Sequence, residues 1–243
     1  MQDILTSWFW SGETLRSRSV SDIVLSATLD IPMPPASVLT DWQRETSTHM
    51  MLEVGDVEAM PLARTLMRWK DYASCVRAAA DWTRSLALPG MLDSAEVALM
   101  ACRGARYHHD AGQYGGAAFC NLFLSEDKGL DVHFPALDLR IPLTRGTALI
   151  FDTAQPHAVI QRHSTRFDAA QFAPQADLTQ IFLTWELPIE SAMLSGALGV
   201  RFDVAAPSSP THPDDEQVWL NGEPVTLCPE SGRWLRADRS SSG

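Results

Sequence analysis

The middle of this 243-residue chain is a series of short apolar segments separated by polar residues, glycine or proline. Six segments between residues 94 and about 190 have the length and composition of β-strands: AEVALMACR, AAFCNLFL, DVHFP, TALIFD, HAVIQR and TQIFLTWEL. No long helical pattern lies between them, which favours antiparallel pairing over βαβ units. The series therefore predicts an antiparallel barrel or sandwich.

Residues 1–92 contain the helical part of the sequence, in PLARTLMRWKDYASCVRAAADWTRSLAL (residues 61–88). Apolar residues recur there at alternating steps of three and four, which predicts one amphipathic helix with a buried face. That face would comprise Leu66, Trp69, Ala73, Val76 and Ala80. Pro89 and Gly90 then end the helix.

The last part of the chain, residues 191–243, is predicted to be an extension of the same compact domain. In QVWLNGEPVTL, Asn221 and Gly222 have the composition of a type I′ turn between two strands. The terminal RSSSG is predicted to be disordered. The chain is thus divided into a helical and strand support region (1–92), a β core (93–190) and this extension.

Composition excludes several classes of function. The chain is 45% hydrophobic and 20% charged, as in ordinary globular proteins, and its net charge of -11 argues against nucleic acid as a partner. It has no run of about 20 apolar residues, so no membrane span is expected. The first residues lack the pattern of a secretory signal. The four cysteines have no CxxC spacing, which indicates reduced, mostly buried thiols and a cytoplasmic location. The oligomeric state is left open.

The stretch RYHHDAGQYGG, residues 106–116, contains the residues with the clearest chemistry. Residues i and i+2 of an extended segment point to the same side, so His108 and Asp110 can share one ion while His109 points away. Downstream, His157 begins the segment HAVIQR. Two histidines and one carboxylate with open coordination positions form the facial triad of non-heme Fe(II) oxygenases.

A His-x-Asp triplet alone is also common in surface loops, so the surrounding sequence matters. Four further segments flank the triad residues: LMAC before His108, the strand FCNLFL, GLDVHFP at 129–135 and PLTRGTALIF at 142–151. With HAV at 157–159, this order resembles the core of the 2-oxoglutarate- and Fe(II)-dependent oxygenases, particularly the prolyl-hydroxylase-like branch. Its patterns are H-x-D, G-x-L-x-F-P, P-x-x-G-x-x-L-x-F and H-x-V. The third and fourth segments each contain one residue more than the pattern.

The resemblance covers residues 99–162 most closely and implies a double-stranded β-helix, a jelly roll with iron at one open end. It implies that His108, Asp110 and His157 are the catalytic metal ligands. The implied cofactors are Fe(II), the co-substrate 2-oxoglutarate and O2. The implied reaction is hydroxylation of an unactivated C–H bond, with succinate and CO2 as co-products. Related halogenases have a small residue in place of the aspartate, so Asp110 favours hydroxylation.

The residue that anchors 2-oxoglutarate is left open. In the resembling branch, an arginine about nine residues after the second histidine opens the last core strand and binds the far carboxylate. Arg166 has that spacing, and Arg162 is the rival. The last strand here begins near Thr179, after an extra segment at 167–178, and has Thr179 and Gln180 where the arginine is expected. Arg103 is a third possibility, as anchor or as a substrate-binding residue. Tyr114 is a candidate for a hydrogen bond to 2-oxoglutarate or substrate.

The predicted function is therefore an Fe(II)/2-oxoglutarate-dependent dioxygenase acting on an amino-acid-like small molecule or a protein side chain. One alternative is a cupin-type metal enzyme that does not use 2-oxoglutarate. Another is a non-catalytic jelly roll used for binding. The 167–178 segment and the C-terminal hairpin lie outside the resembling core, where substrate pockets and lids are usually built.

Overall fold

Strands predominate in the computed structural model, which describes residues 4–50, 52–173, 175–205 and 218–236. The strands are β1 (Leu5–Ser11), β2 (Thr14–Ser19), β3 (Leu25–Thr28), β4 (Val57–Met60), β5 (Val97–Cys102), β6 (Ala105–His108), β7 (Ala117–Phe123), β8 (Leu130–Phe134), β9 (Leu139–Pro142), β10 (Thr147–Asp152), β11 (His157–Gln161), β12 (Gln180–Pro188), β13 (Val218–Leu220), β14 (Glu223–Leu227) and β15 (Trp234–Arg236). The helices are α1 (Ala36–Arg44), α2 (Leu62–Arg68), α3 (Tyr72–Ser85), α4 (Ala111–Tyr114) and α5 (Ala192–Ala197), with a π-helical turn at Glu45–His49 and 3₁₀ turns at Pro135–Leu137 and Ala169–Gln171.

Two antiparallel sheets form the centre of the molecule. The large sheet has the order β3-β10-β7-β12-β5-β4, and the small sheet has the order β6-β11-β8-β9. From β5 to β12, the chain passes repeatedly between the two sheets. This is the strand order of a double-stranded β-helix, so the predicted jelly-roll fold is confirmed. Each of the six predicted strand segments overlaps one of these core strands.

The large sheet has a buried apolar cluster on each face. Along β12, Ile181, Leu183 and Trp185 belong to the cluster that includes the helices, whereas Phe182 faces the small sheet. The cluster between the sheets, called the barrel interior below, draws on strands of both. Its members are Cys102, Ala105, Tyr107, Phe123, Leu130, Val132, Phe134, Leu143, Leu149, Phe151, Ala158, Val159, Ile160, Phe167, Phe172 and Phe182. Burial of these side chains is the main force that joins the sheets.

The predicted single helix is wrong in two respects. The chain forms α2 and α3 separately, because Trp69 between them has extended dihedral angles (φ -115, ψ 94) and ends α2. The buried residues of α3 are Tyr72, Cys75, Ala79, Trp82 and Thr83, so its buried face lies one residue before the predicted positions Ala73, Val76 and Ala80. Of the other predicted residues, Trp69 is buried as expected, whereas Leu66 is 48% exposed.

A third sheet joins the two ends of the chain in the order β15-β14-β13-β1-β2. The predicted hairpin is confirmed: Leu220 pairs with Glu223, and Asn221 and Gly222 both have the positive φ that a type I′ turn requires (53 and 82). The predicted disordered RSSSG lies outside the described residues. No described helix is long and apolar enough to cross a membrane.

The extra segment at 167–178 contributes to the barrel interior. Its Phe167 and Phe172 rings stack with centroids 5.6 Å apart, and both are buried in the interior cluster. The four cysteines are free, as predicted; Cys75, Cys102 and Cys120 are buried, and Cys228 is partly exposed.

Candidate metal centre

The three predicted ligand residues lie together at one end of the barrel. Ligand atoms of His108, Asp110 and His157 all lie within 4.8 Å of one another. One carboxylate oxygen of Asp110 is 3.9 Å from His108 Nε2, and the other is 3.7 Å from His157 Nε2. The antiparallel pairing of β6 and β11 places the two histidines directly opposite each other.

Both histidines are oriented by backbone carbonyls. His108 Nδ1 is 2.7 Å from the carbonyl oxygen of Arg106, and His157 Nδ1 is 3.0 Å from that of Gln155. A carbonyl oxygen only accepts hydrogen bonds, so each Nδ1 donates its proton. In a neutral imidazole this leaves Nε2 with a free lone pair, and Nε2 is the atom that faces Asp110. The same support is usual behind metal-bound histidines.

The chain at Asp110 is held against the turn that precedes His157. The Asp110 N–H donates to the carbonyl of Thr153 at 2.7 Å. The Thr153 hydroxyl in turn donates to the carbonyls of Tyr114 and Ala117, on either side of the loop that follows α4. These bonds connect the His-x-Asp segment to the second histidine, although 47 positions separate Asp110 and His157 in the sequence.

Burial sets the charge of the site. It lowers the pKa of His157 well below its usual value, and neighbouring His108 lowers it further. Burial also raises the pKa of Asp110, an effect that the adjacent His108 and His109 oppose. The imidazole of His157 is therefore neutral near pH 7, as a metal ligand must be. Two imidazoles and one carboxylate suit Fe(II), so these residues fit the ion that the resemblance implies.

No protein-family model and no curated protein matches the sequence. Among solved structures, the chain is similar to the viral collagen prolyl hydroxylase vCPH of Paramecium Bursaria Chlorella virus-1 (TM-score 0.40, 10% identity, 68% of this chain and 89% of that one). It is also similar to a Pseudomonas putida prolyl-4-hydroxylase (0.39, 14%, 68% and 92%). A third structure is the non-heme alpha ketoglutarate dependent epimerase SnoN from nogalamycin biosynthesis (0.36, 12%, 90% and 94%).

The strand order, together with His-x-Asp and a distant histidine at one open end, is the arrangement that the sequence resemblance implied. The chain therefore has the double-stranded β-helix that the resemblance implied. Within this fold, β5 to β12 are the eight core strands. The ligand residues lie where β6 ends and where β11 begins.

Aromatic rings cover one side of the metal centre. The Phe151 ring is 4.8 Å from the His157 ring, and Phe134 is 5.9 Å from it. Phe119 packs edge-on against Phe151 at 6.1 Å, and Tyr114 against Phe119 at 5.1 Å. Tyr114 thus belongs to the aromatic layer beside the centre. The other side is open, since the side chains of His108 and Asp110 are 34% and 23% exposed.

His109 has a different environment from its neighbours. Its ring lies against Trp234 of β15, with centroids 5.5 Å apart, and it is not part of the three-residue cluster. This agrees with the expected direction of the side chain.

The three candidate arginines contact other groups. The Arg162 guanidinium binds Asp127 and Asp131, which raise its pKa. Arg166 is exposed and lines a surface cavity of about 340 Å³ with Arg106 and Glu230. Arg103 donates to the carbonyls of Phe172 and Ala173. Their roles as co-substrate anchor or substrate-binding residue stay predictions.

The three candidate ligands suit iron, but the barrel interior offers no matching partner for the far carboxylate of 2-oxoglutarate, which needs a buried positive charge. The buried polar side chains on the inner face of β7 and β12, Asn121 and Gln180, are uncharged amides. Among the described residues, Arg18 is the one buried arginine or lysine. Both terminal nitrogens of its guanidinium, Nη1 and Nη2, donate to the carboxylate of Asp152.

Sequence reasoning missed the residues that hold the turn before His157. Arg18 of β2 and Asp152 of β10 form an ion pair with Nη1–Oδ2 and Nη2–Oδ1 distances of 2.6 and 2.8 Å, and both side chains are fully buried. Asp152 also accepts the N–H groups of Ser21 and Ala154. Gln155, whose carbonyl supports His157, donates its side-chain amide to the Ser21 carbonyl. The available signal was the aspartate that ends the apolar segment TALIFD.

Proposed function

We propose that this protein is a non-heme Fe(II)-dependent dioxygenase that uses a 2-oxo acid as co-substrate and hydroxylates an unactivated C–H bond. The observation that carries the proposal is the pair of Nε2 atoms facing one carboxylate, each imidazole fixed by a carbonyl on Nδ1. Three protein donors leave coordination positions open on the metal. When bound, the iron would supply the activation of dioxygen and the binding of the 2-oxo acid.

The chain's own residues have separate roles in this proposal. His108, Asp110 and His157 bind the metal. Phe119, Phe134 and Phe151 would keep water from one side of it, where a dry environment strengthens the electrostatic interactions. Tyr114, at the end of this aromatic layer, is the proposed hydrogen-bond partner of co-substrate or substrate. Arg103 remains a proposed substrate-binding residue. If the co-substrate is 2-oxoglutarate itself, Arg166 or Arg162 is the proposed anchor of its far carboxylate.

The proposed substrate is an amino-acid-like small molecule or a protein side chain. It would approach His108 and Asp110 from the open side, opposite the aromatic layer. A protein substrate would have to be compatible with the net charge of -11, which favours a basic or neutral segment over an acidic one.

A second candidate function is a cupin-type metal enzyme. It is favoured by the observation that Arg18, the one buried arginine or lysine among the described residues, is paired with Asp152. A cupin-type enzyme would use the same three ligands without 2-oxoglutarate, and it would need no cation beyond the metal centre. The two candidates differ in whether any 2-oxo acid binds to the iron-loaded protein.

The deciding experiment is an anaerobic titration of the metal-free protein with Fe(II), followed by 2-oxo acids of different chain length. The proposed function predicts a visible charge-transfer band with at least one of them, and no band in His157→Ala. Arg166→Ala and Arg162→Ala, measured in parallel, identify an anchoring arginine by weaker 2-oxoglutarate binding. Tight iron binding without a band for any 2-oxo acid would contradict the dioxygenase and support the cupin-type enzyme.

A further inference from the structure

Among the described residues, the inner face of the large sheet has buried polar side chains but no Arg or Lys. Gln180, the first residue of β12, is fully buried, and neither atom of its side-chain amide has a hydrogen-bond partner. Alternation along β12 places it on the same face as Phe182, and its register partner Cys102 also belongs to the barrel interior. Buried amides without partners are rare and call for an explanation such as a ligand or ordered water.

A second amide lies on the same face, nearer to the metal centre. Asn121 of β7 is 8% exposed, and its Oδ1 is buried without a partner. It lies on the same face of β7 as Phe119 and Phe123, which are two residues before and after it. Its register partners are Leu149 of β10 and Thr184 of β12. Both neighbouring strands therefore place it on the inward-facing surface.

The register fixes the order of these residues from the metal centre inward. Phe151, whose ring contacts His157, pairs with Phe119. Two residues further along the strands, or about 7 Å, comes the row of Asn121. The next row is Phe123 and Phe182, which stack with ring centroids 5.0 Å apart.

The row of Gln180 follows behind this pair. A group that extends inward from the metal centre therefore reaches Asn121 first. The two phenylalanine rings separate it from Gln180.

This arrangement is unfavourable for the far end of 2-oxoglutarate. A second carboxylate placed beside Asn121 would lose its hydration and meet no positive charge, which is a costly combination. An amide can donate to or accept from an uncharged group without that cost. Gln180 cannot act in place of an arginine, because its side chain is shorter and carries no charge, and the Phe123–Phe182 pair covers it.

We propose that the barrel selects a 2-oxo acid whose far end is uncharged, with Asn121 as the residue that contacts this end. The inference rests on the proposed function, since it requires a 2-oxo acid at the iron. It concerns specificity alone: the metal ligands are the same, and the charge of the interior decides which co-substrate binds.

The first test compares three ligands of the iron-loaded wild-type protein under anaerobic conditions. These are 2-oxoglutarate, its 5-methyl ester and 2-oxopentanoate, which differ in the charge and polarity of the far end. Dissociation constants come from the charge-transfer band and, independently, from calorimetry. Both uncharged acids are expected to bind at least tenfold more tightly than 2-oxoglutarate, and the ester more tightly than 2-oxopentanoate.

Two variants test the assigned residues. Asn121→Leu is expected to remove the difference between the ester and 2-oxopentanoate, because it removes the polar partner while keeping a side chain branched at Cγ. Gln180→Arg combined with Phe182→Ala introduces a cation and opens its path, and it should favour 2-oxoglutarate over the ester by tenfold or more. Thermal unfolding of each variant verifies that the fold is retained.

The outcomes separate the two proposals. If wild-type protein binds 2-oxoglutarate as tightly as the ester, or more tightly, the inference is overturned, and loss of that affinity in Arg166→Ala or Arg162→Ala would identify the missing cation. If iron binds and none of the three acids gives a band, the proposed function itself fails. Because the wild-type comparison needs no variant, the inference can be rejected even if a variant does not fold.

Discussion

His108 and His157 are a cross-strand pair, with ring centroids 4.3 Å apart, and each donates its Nδ1 proton to the carbonyl two residues before it. The backbone next to each histidine therefore fixes the orientation of its ring. The pairing of β6 with β11 shifts in register just after His157. Irregularities of this kind often occur beside active sites, where they redirect a side chain.

The first prediction concerns the adjacent histidines. His108→Ala should weaken Fe(II) binding by at least about 100-fold, because loss of a direct ligand should exceed the effect of losing an outer-shell partner. His109→Ala should leave iron affinity within about threefold of wild type, since its ring packs on Trp234. Anaerobic equilibrium competition with a coloured Fe(II) chelator measures both. Equal losses in the two variants would show that the ligand assignment is mistaken.

Most of the core strands could be predicted from the sequence, because their apolar segments are clearly bounded by turn residues. β6 was not among them. Its four residues, Ala105–His108, alternate small or aromatic with charged or polar side chains, and their strand conformation depends on pairing with residues near 157. Long-range pairing of this kind has no local signal.

The proximity of His108, Asp110 and His157 could be predicted, because the His-x-Asp triplet and the later histidine stand in the order of the resembling segments. The neutrality of the interior could be predicted only in part: the sequence shows glutamine at position 180, but the absence of a partner depends on the packing around it. The Arg18–Asp152 pair joins residues 134 positions apart, and no pattern connects them. The error in the helical region came from continuing one helical period through Trp69, whose extended dihedral angles separate α2 from α3 and shift the buried positions of α3 by one residue.

The second prediction concerns Arg18. Arg18→Met should lower the free energy of unfolding by about 3–5 kcal/mol, because it leaves the Asp152 carboxylate buried without its counter-charge. Adding Asp152→Asn should recover part of that loss by removing the charge. Urea unfolding measures both variants. The single variant should also bind Fe(II) about tenfold more weakly, because the pair holds the turn that carries the Gln155 carbonyl.

Arg16 provides the matched control, since it lies two residues away on the same strand and pairs with Asp203 and Glu190 at the surface. Exposed pairs contribute little, so Arg16→Met should cost less than about 1 kcal/mol. A similar cost for both arginines would contradict the role assigned to burial.

The third prediction concerns the thiols. Burial raises the pKa of Cys75, Cys102 and Cys120 to about 12, so they remain protonated and unreactive at pH 8. Cys228 is partly exposed, so it should be the thiol that reacts quickly with an aromatic disulfide reagent in the native protein. Cys228→Ser should abolish the fast phase, whereas unfolding wild-type protein should expose all four thiols. A second fast thiol in the native protein would be inconsistent with this packing.

The fourth prediction compares two glycines of the resembling segments, Gly129 and Gly146, which have φ of +73 and +89. A Cβ at Gly146 would overlap the carbonyl oxygen of Leu29, the residue whose N–H donates to the Gly146 carbonyl. A Cβ at Gly129 would meet nothing within 4 Å. Gly129→Ala should therefore cost about 1–2 kcal/mol for the left-handed backbone alone, and Gly146→Ala more than about 3 kcal/mol. Chemical unfolding of both variants measures the two losses in unfolding free energy. Equal losses would contradict the prediction, because the left-handed backbone would then account for both and the Leu29 contact would add nothing.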